Sequence, residues 1–384
     1  MGACPSAPSA IASSSAPLPP LPILPSAYRA LPGAAGAGGV TACVCAPSGA
    51  LYVAHDSGHV SRHARPWRRS GGSSGGTAPT LSPPRCWPAH GARAVTRLAL
   101  GGGLLASASR DGTAALWRAG DSCSASCDGG DDDDGGDSAL PAAPLAVLRG
   151  HELTVSAVSI AADGRRVATG SRDCSVRVWE VAGGGAPREL CAPAHVAQNV
   201  VTCLQWAAAG SGGEGEQHVL LQGGEDLRVR LWDARAGLLR QAGALEGFTY
   251  FPLALDAAPN GHHVATSSKG FNGVGCEVRL WDLRRLGSGA SPLLHTFTGH
   301  SQDATAVLFV SQGRLASASK DGTVRVWSPG GGGGAAGAAP LVLPVPGAGI
   351  TCLAAASQGL VAGCAEAPGL AVFEEAGVGA VSGW

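Results

Sequence analysis

Short stretches of alternating apolar and polar residues recur along the chain, and their period of two is that of a half-buried β-strand. Alternating Val, Arg and Val or Leu residues lead up to four tryptophans, Trp179, Trp232, Trp281 and Trp327. A second pattern, Leu-Ala-Ser or Val-Ala-Thr, begins at Leu105, Val167, Val264 and Leu315. A third, related to Val-Thr-x-Leu, begins at Val40, Val95, Val201 and Ile350. These patterns predict an all-β chain built from one repeated unit.

Four residue types accompany these strands at regular spacing: a histidine, a hydroxyl residue, an aspartate and a tryptophan. The complete copies are His90, Ser107, Asp111 and Trp117, then His151, Thr169, Asp173 and Trp179, then His300, Ser317, Asp321 and Trp327. A fourth copy has His195, Asp226 and Trp232, with Gln222 in place of the hydroxyl residue. These types can close one buried network, in which the indole donates, the hydroxyl relays and the imidazole donates to the carboxylate. We therefore interpret them as structural rather than catalytic.

A repeated unit of about 40–45 residues that ends in Trp-Asp resembles the WD40 repeat, and the resemblance covers nearly all of the chain. It implies a single seven-bladed β-propeller. The third strands of the seven blades are predicted to end near His63, Trp117, Trp179, Trp232, Trp281, Trp327 and Phe373. The last blade has no outer strand after Phe373, and in WD40 propellers the N-terminal segment commonly supplies it. We expect Ala27–Leu31 to fill this place.

Several segments fall outside the repeat. We expect residues 1–25, rich in Pro, Ser and Ala, to be a disordered tail. The propeller is predicted to span residues 26–375, with insertions at 66–88 and 119–144 that follow the first and second blades. Residues 376–384 would form a C-terminal tail.

Composition narrows the class of function. The net charge is −1 and no basic face is evident, which argues against a nucleic-acid partner. Twelve cysteines without a secretory signal are typical of reduced thiols in the cytoplasm. We find no cofactor or metal motif and no convincing catalytic set, so the expected function is non-enzymatic binding of other proteins.

The turns between second and third strands are candidates for that binding. In four units the residue before the turn aspartate is Arg110, Arg172, Glu225 or Lys320, and Lys269 lies in the corresponding turn of blade five. That turn is expanded to residues 268–277 and contains Phe271. Phe271 is either a contact for a partner or a plug that fills the space left by the missing His and Asp. We predict a partner-binding face that contains Arg110, Arg172, Lys269, Phe271 and Lys320.

Two more specific functions follow from resemblance. Segments 199–206 and 224–235, together with the blade-five turn, are similar to a non-enzymatic WD40 propeller associated with cilia. This implies a scaffold in ciliary, intraflagellar or membrane-protein trafficking, located in the cytoplasm, cilium or basal body. Alternatively, Trp232–Arg235 and Trp281–Arg284 fit W-D-x-R, which resembles the docking box of WD40 substrate receptors of cullin-4 ubiquitin ligases. Arg235 and Arg284 would then contact the ligase.

The first six residues fit a pattern for N-terminal acylation. Met1 to Ser6 match M-G-x-x-x-S, which presents Gly2 for myristoylation. One such chain gives only marginal membrane affinity, and Cys4 offers a second site, for palmitoylation. The pattern predicts peripheral membrane attachment through the tail.

Overall fold

A computed structural model describes most of the predicted propeller. The described residues are 29–31, 38–64, 84–119, 143–181, 186–191, 199–207, 218–235, 239–311, 314–329, 339–347, 349–356, 359–366 and 369–374. The predicted tail with Gly2 and Cys4, the C-terminal tail, His195 and most of both insertions lie outside them. Among the described residues no helix is long and apolar enough to cross a membrane.

Seven four-stranded antiparallel sheets form the blades, as the repeat count predicted. The inner strands are β2 (Val40–Cys45), β6 (Val95–Gly101), β10 (Val155–Ile160), β14 (Val201–Trp206), β18 (Pro252–Ala257), β22 (Ala304–Ser311) and β26 (Ile350–Ala356). The second strands are β3 (Leu51–His55), β7 (Leu104–Ser109), β11 (Arg166–Ser171), β15 (Val219–Gly224), β19 (His263–Ser268), β23 (Arg314–Ser319) and β27 (Gly359–Cys364).

The third strands carry the tryptophans or their replacements. They are β4 (His59–His63), β8 (Ala114–Arg118), β12 (Val176–Glu180), β16 (Arg228–Asp233), β20 (Val278–Asp282), β24 (Thr323–Trp327) and β28 (Leu370–Glu374). The outer strands are β5 (Arg85–Pro88), β9 (Ala146–Leu148), β13 (Arg188–Cys191), β17 (Arg240–Leu245), β21 (Leu293–Phe297), β25 (Leu341–Pro344) and, for blade seven, β1 (Arg29–Leu31). A 3₁₀ turn, Leu283–Arg285, follows β20.

Strand β1 closes the ring, which confirms the prediction for Arg29–Leu31, while Ala27 and Tyr28 lie outside the described residues. Arg29 pairs with Val372 and Leu31 pairs with Leu370, so β1 lies antiparallel to β28. The pairing supplies the fourth strand of blade seven and covers the edge of β28, which would otherwise be open to association with other chains. The first and last parts of the chain therefore share one blade.

The predicted insertion 66–88 is too long at its C-terminal end. Arg85–Pro88 is not part of a loop but forms β5, the outer strand of blade one. Trp87 is buried there, 5.9 Å from the ring of Trp117 in an edge-to-face contact. Burial of this indole favours the strand, and an outer edge tolerates the neighbouring proline, which has no N–H to donate.

Hydroxyl groups connect the inner strands around the central channel. A Thr or Ser at the second position of an inner strand donates to the first carbonyl of the next inner strand, for example Thr41 to Val95 at 2.6 Å and Thr351 to Val40 at 2.8 Å. Six of the seven junctions have this bond. Leu253 interrupts the series, and at that junction the Asp256 carboxylate accepts from the N–H of Phe309 at 2.8 Å. Burial raises the pKa of Asp256 to about 6.

Candidate functional site

The three complete copies of the His, hydroxyl, Asp and Trp set form the same hydrogen-bonded chain. In blade three, His151 Nδ1 lies 2.9 Å from Asp173 Oδ2 and its Nε2 lies 2.9 Å from Thr169 Oγ1. The indole of Trp179 donates to that hydroxyl at 3.0 Å. Blades two and six repeat these contacts within 2.8–3.0 Å. Each series of hydrogen bonds holds the loop before the inner strand against the two middle strands of its blade.

The aspartates accept a further pair of bonds that we did not predict. The donor is the residue two positions after the aspartate, which uses both its hydroxyl and its backbone N–H. Ser175 donates to Asp173 Oδ1 from its hydroxyl at 2.6 Å and from its backbone N–H at 2.9 Å. Burial raises the pKa of Asp173, but bonds from Ser175, Glu152 and His151 outweigh it and hold that pKa below its usual value. The pKa values of Asp111 and Asp321 are lowered in the same way. The signal was present as Asp-x-Ser/Thr, at Asp111–Thr113, Asp173–Ser175 and Asp321–Thr323.

Blade four departs from this arrangement. The indole of Trp232 donates to Gln222 Oε1 at 2.7 Å, so the amide replaces the hydroxyl as acceptor. Asp226 forms an ion pair with Arg230, a partner we had not predicted. The predicted third member, His195, lies outside the described residues.

Blade one has a network that sequence reasoning missed. Ser61 Oγ lies 2.9 Å from His55 Nε2 and 3.4 Å from His63 Nε2. His63 stands opposite Leu51, as Trp117 stands opposite Leu105, so an imidazole takes the tryptophan position. Burial lowers the pKa of His63 to about 4 and also lowers that of His55.

The turns before the third strands meet the loops before the inner strands on one side of the ring, which we call the turn face. The four cationic residues of the predicted contact set, together with Glu225, occupy one repeated place, because each donates its backbone N–H to the loop of its own blade. The bonds run from Arg110, Arg172, Glu225, Lys269 and Lys320 to the carbonyls of Ala94, Thr154, Val200, Phe251 and Asp303, at 3.0–3.1 Å. All five side chains are exposed, and Lys320 pairs with Asp303 at 2.8 Å.

The turn face is not uniformly basic. Exposed carboxylates also lie in its turns and loops, at Glu152, Glu225, Glu246 and Glu366. The charge of the turn face therefore does not by itself support the prediction that Arg110, Arg172, Lys269 and Lys320 contact a partner. Their common position stands; their role in binding remains a prediction.

The expanded turn of blade five is a small β-hairpin. Phe271 and Val274 exchange backbone bonds of 3.0 Å, and the intervening Asn272 and Gly273 have φ of 52° and 78°. Positive φ at both central residues is typical of a two-residue hairpin turn, for which Asn-Gly is the favoured sequence. The side chain of Phe271 is 69% exposed and that of Val274 is 56% exposed.

Neighbouring blade six holds this hairpin in place. Gly273 donates to the carbonyl of Ser301 and Gly270 donates to the Asp303 carboxylate, both at 3.0 Å. Tyr250, 41% exposed, packs against Gly275, where a Cβ would meet the ring at 2.1 Å. The hairpin is therefore a fixed, apolar projection.

Phe248, rather than Phe271, fills the place of the missing histidine. Gly247-Phe248 corresponds to Gly150-His151 and Gly299-His300 of the complete units. The Phe248 ring is buried and lies 5.4 Å from the ring of Trp281. Trp281 donates to Thr266 at 2.9 Å, so this blade keeps the indole-to-hydroxyl bond without His and Asp. Of the two interpretations of Phe271, the structure excludes the plug.

Comparison with known proteins matches the units that have complete networks. A family model described as "WD domain, G-beta repeat" matches residues 81–118, 142–180 and 291–328. These ranges contain the sets that end at Trp117, Trp179 and Trp327, and each set closes within a four-stranded blade of a seven-bladed ring. The chain belongs to the WD40-repeat family.

Curated relatives of this WD40 propeller have diverse names. It is 30% identical over 205 residues to "Ribosome biogenesis protein WDR12 homolog" of Chlamydomonas reinhardtii, covering 48% of this chain and 44% of that protein. It is 27% identical over 199 residues to "Nuclear distribution protein PAC1-2" of Uncinocarpus reesii, covering 48% and 37%. It is 26% identical over 147 residues to "LEC14B homolog" of Prunus armeniaca, covering 36% and 26%. The chain spans less than half the length of these relatives.

The two W-D-x-R arginines lie on the side of the WD40 propeller opposite the turn face, where third strands end. Arg284 Nε and Nη2 donate to the two oxygens of Asp282 at 3.0 and 2.8 Å, and Arg235 makes the equivalent fork on Asp233. The side chains of Arg235 and Arg284 are 68% and 60% exposed. Each guanidinium is thus held in place while one side faces solvent.

The central channel has a volume of about 380 Å³. Arg97 crosses it and donates to the carbonyl of Leu253 in blade five at 3.4 Å. In the part of the chain that the structure describes, no group of three or more His, Cys, Asp or Glu residues is placed to hold a metal ion.

Proposed function

We propose that this WD40 propeller is a non-enzymatic scaffold that binds other proteins through its turn face, with the blade-five hairpin as the main contact. The observation that carries the proposal is Phe271, an aromatic side chain 69% exposed on a backbone fixed by bonds to blade six. A fixed loop loses little freedom on docking, and aromatic residues are frequent hot spots of protein interfaces. Val274 and Tyr250 extend the apolar surface beside it.

The chemistry of the networks supports a scaffold over an enzyme. The His and Asp side chains that resemble catalytic groups are bonded to each other and to buried hydroxyls in three blades. Perturbed carboxylates occur in structural networks as well as in active sites. In these three blades the His and Asp side chains bond to residues of the network that connects the loop before the inner strand to the two middle strands.

A ciliary role is the finer form of the proposal. The Trp-Asp segment of blade four and the blade-five turn are similar to WD repeat-containing protein 31, a propeller associated with cilia. We infer a cytoplasmic or ciliary scaffold in intraflagellar or membrane-protein trafficking, with acylation of Gly2 and Cys4 as the means of membrane attachment. The curated relatives have names that indicate ribosome biogenesis and nuclear distribution. These two relatives each match 48% of this chain, at 30% and 27% identity, so we transfer neither role.

Proximity labelling with the full chain tests the scaffold. We expect Phe271→Ala to lose a defined set of labelled proteins, because it removes the exposed ring without disturbing the buried core. Leu145→Ala is the matched control, since Leu145 is 53% exposed and precedes the outer strand of blade two. The melting temperature of both variants should equal that of the wild type.

The outcomes separate the coarse proposal from the fine one. An identical labelled set for wild type and Phe271→Ala would overturn the role of the hairpin. If Phe271→Ala loses partners equally in ciliated and unciliated cells, the scaffold stands and the ciliary role is wrong. Intact mass of the N-terminal peptide, with Gly2→Ala as control, tests the acylation.

A second candidate is a substrate receptor of a cullin-4 ubiquitin ligase. It is favoured by the two exposed arginine forks on Asp233 and Asp282. We expect an Arg235→Ala, Arg284→Ala double variant to lose capture of the purified ligase adaptor. Arg285→Ala is the control, because Arg285 adjoins Arg284 and lies 3.9 Å from Asp282. Equal capture by the double variant and the control would exclude this candidate.

A further inference from the structure

Two buried thiols meet where blade seven packs against blade one. Cys352 Sγ lies 3.2 Å from Cys43 Sγ, although the residues are 309 positions apart in sequence. Cys352 belongs to inner strand β26 and Cys43 to inner strand β2, and both are free thiols. A disulfide bond is about 2.05 Å long, so the sulfurs need to approach by only about 1 Å.

The surroundings make the two thiols unequal. The hydrogen bond from Cys43 lowers the pKa of Cys352, and Thr351 and the Arg97 guanidinium act in the same direction. The same hydrogen bond and burial raise the pKa of Cys43. Because the thiolate is the reactive form of cysteine, Cys352 is suited to be oxidised first and Cys43 to be the second thiol.

The central channel offers a route for a small oxidant. Both Cys43 and Cys352 are among the residues that line this channel of about 380 Å³. The space accommodates several molecules the size of water, and hydrogen peroxide is only slightly larger. Burial in the blade interface therefore does not isolate these thiols from a hydroperoxide.

We propose that Cys43 and Cys352 form an oxidative modification site, at which a hydroperoxide converts two thiols into a disulfide between the first and last blades. The Cys352 thiolate attacks one peroxide oxygen, the O–O bond breaks, and a sulfenic acid forms as the other oxygen leaves as water after protonation. The sulfur of Cys43 then displaces the sulfenic hydroxyl, which leaves as a second water. Two thiols and one hydrogen peroxide give one disulfide and two waters.

The bond would join the two blades at which the ring closes. Until oxidation, that closure depends on noncovalent contacts, including the three-residue pairing of β1 with β28 and the Thr351 bond to Val40. A cross-link between residues so far apart in sequence restricts the unfolded chain strongly. We expect the melting temperature of the oxidised protein to rise by about 5 °C.

The experiment treats the folded full chain with stoichiometric hydrogen peroxide and measures intact mass, followed by mapping of linked peptides. We expect a loss of two hydrogens and a Cys43–Cys352 link that dithiothreitol reverses. Cys352→Ser and Cys43→Ser should each abolish the link. Cys45→Ser should retain it, which distinguishes the two cysteines of β2.

Cys203→Ser is the matched control. Cys203 occupies the same inner-strand position in blade four and packs against Gly223 as Cys352 packs against Gly363. The residue of the next blade that corresponds to Cys43 is Leu255, so Cys203 has no thiol opposite it. We expect the control variant to form the Cys43–Cys352 link at the wild-type rate.

The proposal is overturned if native protein gains oxygen at either thiol without forming the link, or if the link forms only in denaturant. Should the serine variants fail to fold, differential alkylation of the wild type before and after peroxide replaces them. Protection of Cys43 and Cys352 together from alkylation after peroxide, without protection of Cys203, supports the proposal. Protection of neither thiol rejects it.

Discussion

Blade one and blade two use the same sheet positions for different chemistry. Trp117 in blade two donates to Ser107, which also contacts His90, and a carboxylate completes the chain. In blade one His63 takes the tryptophan position, and the hydroxyl moves to Ser61 on the third strand. The same sheet positions therefore form a polar network in both blades, but with different residue types.

The two kinds of network differ in the charge of their titratable groups. The networks of blades two, three and six contain an ionised carboxylate whose pKa is lowered by the hydrogen bonds it accepts. The network of blade one contains two imidazoles whose pKa values are lowered by burial. Acid should therefore weaken the two kinds of blade in different pH ranges.

Removal of a network carboxylate should have the largest effect. We expect Asp173→Ala to lower the free energy of unfolding by about 3 kcal/mol, because it leaves donors from His151 and Ser175 without an acceptor. Chemical denaturation at pH 7 measures this loss, and Asp111→Ala and Asp321→Ala should behave alike. Asp163→Ala, at an exposed turn of the same blade, is the control. An equal loss in that control would contradict the special role of the network.

Acid titration of blade one should have the next effect. An unfolded histidine has a pKa near 6.5, whereas that of folded His63 is about 4. As the pH falls, the unfolded state therefore takes up this proton at a higher pH than the folded state does. The contribution of His63 to the free energy of unfolding is fully present above about pH 6.5 and is lost as the pH falls towards 4. The loss is about 3 kcal/mol for this residue.

Urea unfolding between pH 7.5 and 4.5 checks the contribution of His63. His63→Phe, which copies Phe373 at the same position of blade seven, should show a shallower decline. Other buried histidines remain in both proteins, so the difference between the curves reports His63 together with its coupling to His55 through Ser61. The carboxylates of blades two, three and six have lowered pKa values, so their contribution is lost only below about pH 4. Parallel curves for the two proteins would show that the blade-one network does not titrate as inferred.

Loss of the turn hydroxyl should have the smallest effect. We expect Ser175→Ala to cost about 1.5 kcal/mol, because the Asp173 carboxylate loses a charge-assisted bond of 2.6 Å. The acid limit of stability should move to higher pH. The same substitution at Ser57, in the blade-one turn, should cost less, since its 3.1 Å contact with the His59 imidazole is weaker than a short bond to a carboxylate. Similar losses at both sites would remove the distinction between the two turns.

Local patterns predicted most of the fold but only part of the candidate site. Strand period, Asp-to-Trp spacing and the repeat length predicted seven blades, and a last unit without a predicted outer strand pointed to the N-terminal segment. The Asn272-Gly273 hairpin and the Gly247-Phe248 replacement were readable from sequence but were missed. Trp87 was placed in an insertion because blade one lacks Trp and Asp at the repeat positions, which are taken by His63 and Ser57.

The sequence by itself determined six of the seven blades, because their four strands follow one another in the chain, whereas blade seven also takes β1 from a distant segment. Strand alternation, turn chemistry and the Asp-x-Ser/Thr contacts all act within about 40 residues. Only the tertiary structure decided what meets between blades. The hydroxyl bond from Thr351 to Val40 and the contact of Cys43 with Cys352 join residues more than 300 positions apart. Closing the ring brings these groups together, and no local pattern encodes which residue of the first blade faces which residue of the last.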